Sequence, residues 1–165
     1  MRKILILAAA ALLSPQGALA QSPDPARAET VTWTASADPA AVKPDGAMTV
    51  TLNAKVAEGW HVYALKQLPN GPTPLRITVD ANPLATQAGE PTGSPATKVH
   101  DPAFDLDTPL YSKAFTATVP VKLAARVAAG KQTIPVTVRF QTCNGKICQP
   151  PKSAHLLAPV TVANR

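Results

Sequence analysis

Three stretches of this chain alternate apolar and polar residues at every second position, and no other feature narrows the possible fold as far. Met48, Val50, Leu52, Ala54 and Val56 alternate with Thr49, Thr51, Asn53 and Lys55. Phe115, Ala117, Val119, Val121 and Leu123 alternate with Thr116, Thr118, Pro120 and Lys122, and Ile134, Val136, Val138 and Phe140 with Pro135, Thr137 and Arg139. Successive side chains of a strand point to opposite faces, so this period gives each stretch one apolar side to bury. Shorter strand candidates lie at 31–35, 60–64, 75–79 and 154–162. A helical period is almost missing; only 121–129 has the composition for a short helix. Seven or more strands with frequent turn signals predict an all-β sandwich. The 18 prolines fall mostly between the strand candidates, as in Pro69-Asn70-Gly71-Pro72, where they fix φ and stiffen the loops. Pro120 has no N–H to give a ladder, which predicts a sheet edge there.

The first residues read as an export signal. Met1-Arg2-Lys3 is a positive start, Ile4 to Leu13 an unbroken apolar run, and Ala18-Leu19-Ala20 a small-x-small cleavage pattern. The run is shorter than the ~20 residues of a membrane span. The expected division is therefore a signal peptide over 1–20, cleaved between Ala20 and Gln21, a Pro- and Ala-rich flexible leader over 21–30, and one domain over 31–163 with no transmembrane segment after signal removal. Removing Arg2 and Lys3 from the 16 basic side chains leaves 14 against 10 acidic ones. These are scattered singly and without an aromatic platform, so the composition gives nucleic-acid binding no support.

Cys143 and Cys148 are the chain's two cysteines, in Gln141-Thr142-Cys143-Asn144-Gly145-Lys146-Ile147-Cys148-Gln149-Pro150-Pro151. In an oxidising compartment such a pair forms a structural disulfide or exchanges with other thiols. Closing a loop of about six residues removes only roughly 2 kcal/mol from the unfolded state, against nearly 5 for a loop of about 100, so this spacing makes a weak staple. A short loop holds both sulfurs close in either redox state, which suits thiol–disulfide exchange. Metal binding is a further alternative, because His61, His100, His155 and Met48 add possible ligands to the cysteines, but the sequence has no Cys-x-x-Cys, His-x-His or Met-rich cluster. Neither a metal nor another cofactor is expected. Hydrolytic catalysis has no Gly-x-Ser-x-Gly behind it, and Asp105 and Asp107 read as loop charges.

Gly59-Trp60-His61-Val62-Tyr63, Thr108-Pro109-Leu110-Tyr111 and the run from Phe140 through Cys143 and Cys148 to Lys152 together resemble the periplasmic N-terminal domain of the DsbD thiol:disulfide interchange proteins. The likeness spans about 31–162, and the cysteine loop followed by Pro-Pro is its most specific part. The resemblance implies an immunoglobulin-like antiparallel β-sandwich in the periplasm. Its cysteine pair would take electrons from a thioredoxin-like donor and pass them to oxidised partners. It also implies roles: Cys148 forms the mixed disulfide, Cys143 resolves it, and Phe104, on the Asp101-Pro102-Ala103-Phe104 loop, is the cap that shields the sulfurs. His61 and Tyr63 match positions beside the cysteines. Two apart on a strand, they should share a face, with Tyr63 donating a hydrogen bond near the sulfurs and His61 tuning the thiolate by charge.

Three departures from that family's pattern are visible. Four residues separate the cysteines, one fewer than in the best-known members. Ala103 stands where an acidic residue usually precedes the cap aromatic, leaving Asp101 as the nearest carboxylate. No membrane electron-conducting segment or thioredoxin-like domain follows residue 165, so the expectation is a stand-alone relay reduced by another protein. The alternative is a non-catalytic immunoglobulin-like binding module with a structural Cys143–Cys148 bond and a recognition surface of Trp60, Tyr63 and Phe104.

Overall fold

Where apolar residues alternate most regularly, the chain forms its longest strands. A computed structural model describes residues 29–164. The signal peptide, its cleavage site and most of the leader lie outside the described residues. Among the described residues thirteen strands run in chain order: β1 (Val31–Asp38), β2 (Ala41–Val42), β3 (Ala47–Val56), β4 (His61–Tyr63), β5 (Arg76–Val79), β6 (Ala85–Gln87), β7 (Thr92–Gly93), β8 (Thr97–Asp101), β9 (Leu106–Tyr111), β10 (Phe115–Leu123), β11 (Gly130–Phe140), β12 (Thr142–Cys143) and β13 (Lys152–Val162).

They form three sheets. One runs β1-β3-β10-β6, with β7 pairing a second part of β10; the next runs β2-β13-β11-β5; the third runs β12-β4-β9-β8. All pairings are antiparallel except β2 with β13. The first two sheets make an immunoglobulin-like sandwich. Val50 and Leu52 of β3 and Val119 and Val121 of β10 share one fully buried cluster with Ile134, Val136 and Val138 of β11 and Ala158 of β13. Each such side chain contributes about 1.5–3 kcal/mol relative to an exposed one, which fixes the register, since a one-residue slip would turn the apolar set to solvent.

Two expectations fail. Residues 121–129 do not wind into a helix, and no helix occurs among the described residues. Val121 and Leu123 complete the buried face of β10, the Leu123 N–H donates to Gly46, and the Ala124 N–H donates to Leu84, so strand and turn contacts claim the backbone a helix would need. Pro120 is also not on an edge strand, because β10 is paired on both sides. In an extended strand the N–H and C=O of one residue point the same way. The Pro120 carbonyl accepts from the Ala88 N–H at 2.8 Å, so the missing donor faces the interruption between β6 and β7, where no ladder partner needs it.

The third sheet extends from one end of this sandwich. β11 ends at Phe140 and β12 begins at Thr142, so the chain passes directly from the core ladder into the cysteine strand. An aromatic seam braces the junction. Tyr111 of β9 stacks on Phe115 of β10 at 4.0 Å, and Trp33 of β1 packs against Phe115 and Phe140 at 5.6 and 5.4 Å.

Candidate functional site

Cys143 and Cys148 are bonded to each other across a tight hairpin. The Asn144 N–H donates to Ile147 at 3.1 Å and the Gln149 N–H donates to Thr142 at 2.9 Å. These bonds flank the cysteines, which face each other as a non-hydrogen-bonded antiparallel pair, the position where Cα atoms come closest. Their Cα atoms are 4.1 Å apart. The loop supplies its own scaffold. Asn144 Oδ1 accepts from the Lys146 and Ile147 N–H groups at 3.0 and 2.8 Å, and Gly145 takes φ +79°, a left-handed conformation open to glycine. The two sulfurs differ in environment: Cys143 is 1% exposed, whereas Cys148 is only partly buried.

The pairings of the third sheet gather the remaining candidates. His61 lies opposite Cys143 and Tyr63 opposite Leu110, so His61, Tyr63, Cys143 and Leu110 share one face. Tyr63, Leu110 and Cys143 form a small buried cluster, against which both Cys148 and Phe104 pack. The Phe104 ring meets the Tyr63 ring edge-on at 5.9 Å, and the His61 ring also meets Tyr63 edge-on at 5.1 Å. Phe104 is carried by the β8–β9 hairpin, whose turn is closed by the Phe104 N–H donating to the Asp101 carbonyl at 3.3 Å.

Asp101 is buried at the end of β8 with both carboxylate oxygens engaged. Oδ2 accepts from the Tyr63 hydroxyl at 2.5 Å and Oδ1 from the Ala103 N–H at 2.9 Å. Asp101 thus supplies the carboxylate at this site, while position 103 contributes only its backbone. The Tyr63 oxygen also lies 3.9 Å from Cys148 Sγ. Its hydrogen is donated to Asp101 beside the cysteines, so towards the sulfur Tyr63 offers an oxygen lone pair able to accept from a thiol S–H. Burial, then the hydrogen bond to Asp101 and its charge, push the Tyr63 phenol well above its ordinary range. His61 Nε2 stands 3.8 Å from Asp101 Oδ2, too far for a hydrogen bond, and has no partner. Burial lowers the His61 pKa, more than the Asp101 charge raises it, so the ring is a neutral imidazole near pH 7.

The other possible metal ligands lie apart from this cluster. His155 shares a hydrogen bond with Thr137 at 2.9 Å, His100 lies on the exposed hairpin 3.6 and 3.5 Å from Asp105 and Asp107, and Met48 is buried in the sandwich core. Among the described residues, no group of three or more His, Cys, Asp or Glu is arranged to hold a metal ion. Sequence reasoning did not single out Leu110 as part of the site, although the Thr108-Pro109-Leu110-Tyr111 block contained it. It also missed Gln149, buried beside Cys148 with Thr142, whose hydroxyl lies 3.0 Å from Thr30 Oγ1.

Residues 28–158 match the family described as thiol:disulfide interchange protein DsbD, N-terminal. The chain belongs to that family. Among solved structures, the N-terminal periplasmic domain of ScsB from Proteus mirabilis is similar at 18% identity and a TM-score of 0.49, covering 84% of this chain and 49% of that one. BcpA, the major pilin subunit of Bacillus cereus, is similar at 14% identity and a TM-score of 0.37, covering 81% of this chain and 40% of that one. The chain therefore spans about half the length of the first and two fifths of the second. No curated protein sequence matches significantly. As a DsbD N-terminal-type domain, the chain has its bonded cysteine pair at the edge of the third sheet, and no helix among its described residues is long and apolar enough to cross a membrane.

Proposed function

We propose that this chain is a periplasmic thiol–disulfide exchange protein that relays two electrons through Cys143 and Cys148 between thioredoxin-like partners. The observation that carries this reading is the asymmetry of the bonded pair: one sulfur buried and one partly open, on a hairpin whose own hydrogen bonds hold it in place. Membership of the DsbD N-terminal family supports it.

In the reducing half-reaction a donor thiolate attacks Cys148 Sγ. The donor–Cys148 disulfide forms, the Cys143–Cys148 bond breaks, and Cys143 leaves as a thiolate. The donor's second thiolate then attacks its own sulfur in the mixed disulfide and displaces Cys148 as a thiolate. The donor ends as a disulfide, and the domain holds two more electrons and takes up two protons. In the oxidising half-reaction the Cys148 thiolate attacks an acceptor disulfide and Cys143 resolves the mixed species, returning the domain to its starting state and the acceptor to a dithiol. Tyr63, anchored by Asp101, accepts from the Cys148 thiol while the domain is reduced, and neutral His61 adds no positive charge beside Cys143. Phe104 acts as a cap: an apolar ring over the sulfurs slows small thiols, while a docking protein displaces it.

The test is the reduction potential of the pair, from equilibration in glutathione or dithiothreitol buffers with thiol alkylation and mass analysis. The relay reading expects a value between roughly −270 and −120 mV, the range of exchange proteins. A value well below about −300 mV marks a resistant structural bond and would establish the binding module instead. With Cys143 replaced by Ser, Cys148 should trap its partner as a stable mixed disulfide.

A further inference from the structure

The face of the third sheet that holds the redox residues also carries a groove that the exchange chemistry does not use. It encloses about 370 Å³ between the disulfide loop at Asn144 and Gly145 and strand β8 at Val99, and passes over Trp60, His61 and Leu110. This lies near the lower end of the ~300–1,000 Å³ found for ligand sites. Apolar atoms of Trp60, Val99, Pro102 and Leu110 dominate its surface, with His61, His100, Ser112 and Asn144 at its borders, and its one carboxylate, Asp101, is already engaged at both oxygens by Tyr63 and Ala103. A basic ligand therefore finds no free counter-charge there. Four large apolar side chains are exposed among the described residues, and two belong to this region: Val99, 43% exposed, lines the groove, and Ile147, 42% exposed, immediately precedes Cys148.

We infer that this groove receives an apolar side chain from the partner's own cysteine-bearing segment and so selects which proteins exchange with Cys148. The inference rests on the relay reading, and covalent geometry commits it to that occupant. In a mixed disulfide the partner's cysteine Cα is held about 4.4–6.8 Å from that of Cys148, and an extended segment advances about 3.3 Å per residue. Asn144 and Gly145 lie inside the ring closed by the two cysteines, so a partner residue one to three positions from the reacting cysteine reaches the groove they wall. An aliphatic or aromatic side chain matches the lining and would leave Trp60, Val99 and Leu110 covered during exchange.

The test uses the chain with Cys143→Ser, whose Cys148 thiolate displaces thionitrobenzoate from activated single-cysteine peptides and forms one peptide–Cys148 disulfide per coloured ion released. Two peptides of equal charge are compared, one with Leu and one with Ser at the positions flanking its cysteine; Ellman's reagent serves as a third electrophile without a peptide. The Leu peptide is expected to react at least roughly tenfold faster than the Ser peptide, the scale of discrimination by an apolar pocket. Val99→Asp, which charges the groove wall on an exposed edge strand, and Ser112→Phe, which fills the groove from an exposed position, should each bring that ratio close to one. Because the readout is a ratio, changes in the intrinsic reactivity of Cys148 cancel. Equal rates for the two peptides before either substitution, or a ratio unchanged by both, would overturn the groove assignment while leaving the relay intact. If folded protein fails to react even with Ellman's reagent, the relay reading falls and the groove assignment falls with it.

Discussion

Replacing Phe104 by Ala isolates the proposed cap. The Phe104 ring contacts Tyr63 edge-on at 5.9 Å and packs on the Tyr63–Leu110–Cys143 cluster. An edge-to-face aromatic pair contributes about 0.5–1.5 kcal/mol beyond burial. If a small thiol reaches Cys148 only when the ring is lifted, removing that contact raises the open population by the same free energy. At 1.36 kcal/mol per decade, the reaction should speed up by about two- to thirteenfold, with lost packing adding to this. The assay is the pseudo-first-order reduction of the oxidised domain by dithiothreitol under native conditions, quenched by alkylation and read by mass. A parallel urea melt checks that the variant remains folded at the assay temperature. A rate within a factor of about 1.5 of the unsubstituted chain would refute the reasoning: the ring would then anchor a loop without gating the sulfur.

Four further outcomes follow from the same geometry. A double-mutant cycle with Tyr63→Phe and Asp101→Ala should give a coupling of about 1.5–3 kcal/mol in urea unfolding, the worth of a buried hydrogen bond to a charged group; a coupling below about 0.5 kcal/mol would show that neither depends on the other. Burial depresses the His61 pKa, so its stabilising contribution is complete above the unfolded value of 6.5 and is lost as pH falls from there through the folded value, where the unfolded chain binds a proton first. The slope of stability against pH in that window should shrink in His61→Gln, and an unchanged slope would assign it to other groups. Gly93→Ala places a Cβ 2.7 Å from the Tyr111 hydroxyl, which is held by stacking on Phe115 and by donating to the Ser94 carbonyl. A loss of about 1–3 kcal/mol is expected, and a neutral result would mean that the aromatic seam yields easily. Replacing both cysteines by Ser should cost no more than roughly 2 kcal/mol, given the short ring; a much larger loss would favour a structural bond.

How far the sequence could be read depended on burial. β3, β10 and β11 each bury one face, so their alternation survives in composition and their positions were legible. β8 and β9 were not legible, although they frame the candidate site. Thr97 to His100 are all exposed, and β9 combines Asp107 and Pro109 with buried Thr108, Leu110 and Tyr111, so neither shows a period against which a reader could set a register. Pro120 misled for a related reason: sequence reveals the missing donor but not that the neighbouring strand is interrupted beside it. At the site, the cysteine loop and the likeness to the DsbD N-terminal domain pointed to Phe104, His61, Tyr63 and Asp101; the structure places the first three beside the cysteines and Asp101 behind them, on Tyr63. That Asp101 is the acceptor of the Tyr63 hydrogen bond could not be read, because Asp101 reaches across from a strand with no sequence signal.

The backbone bonds on either side of the cysteine pair, and the Asn144 side chain that braces its loop, do not involve sulfur. Opening the disulfide removes none of them directly, so the hairpin is expected to keep nearly the same main-chain shape in the oxidised and reduced states. Under the relay reading, a partner would then have no folded-versus-unfolded cue by which to distinguish donor from acceptor form. In the proposed relay the change would be confined to the partly buried Cys148 sulfur and the ring packed near it, so discrimination between the two redox states would fall to side-chain scale. Net traffic through the domain would follow from which partners surround it.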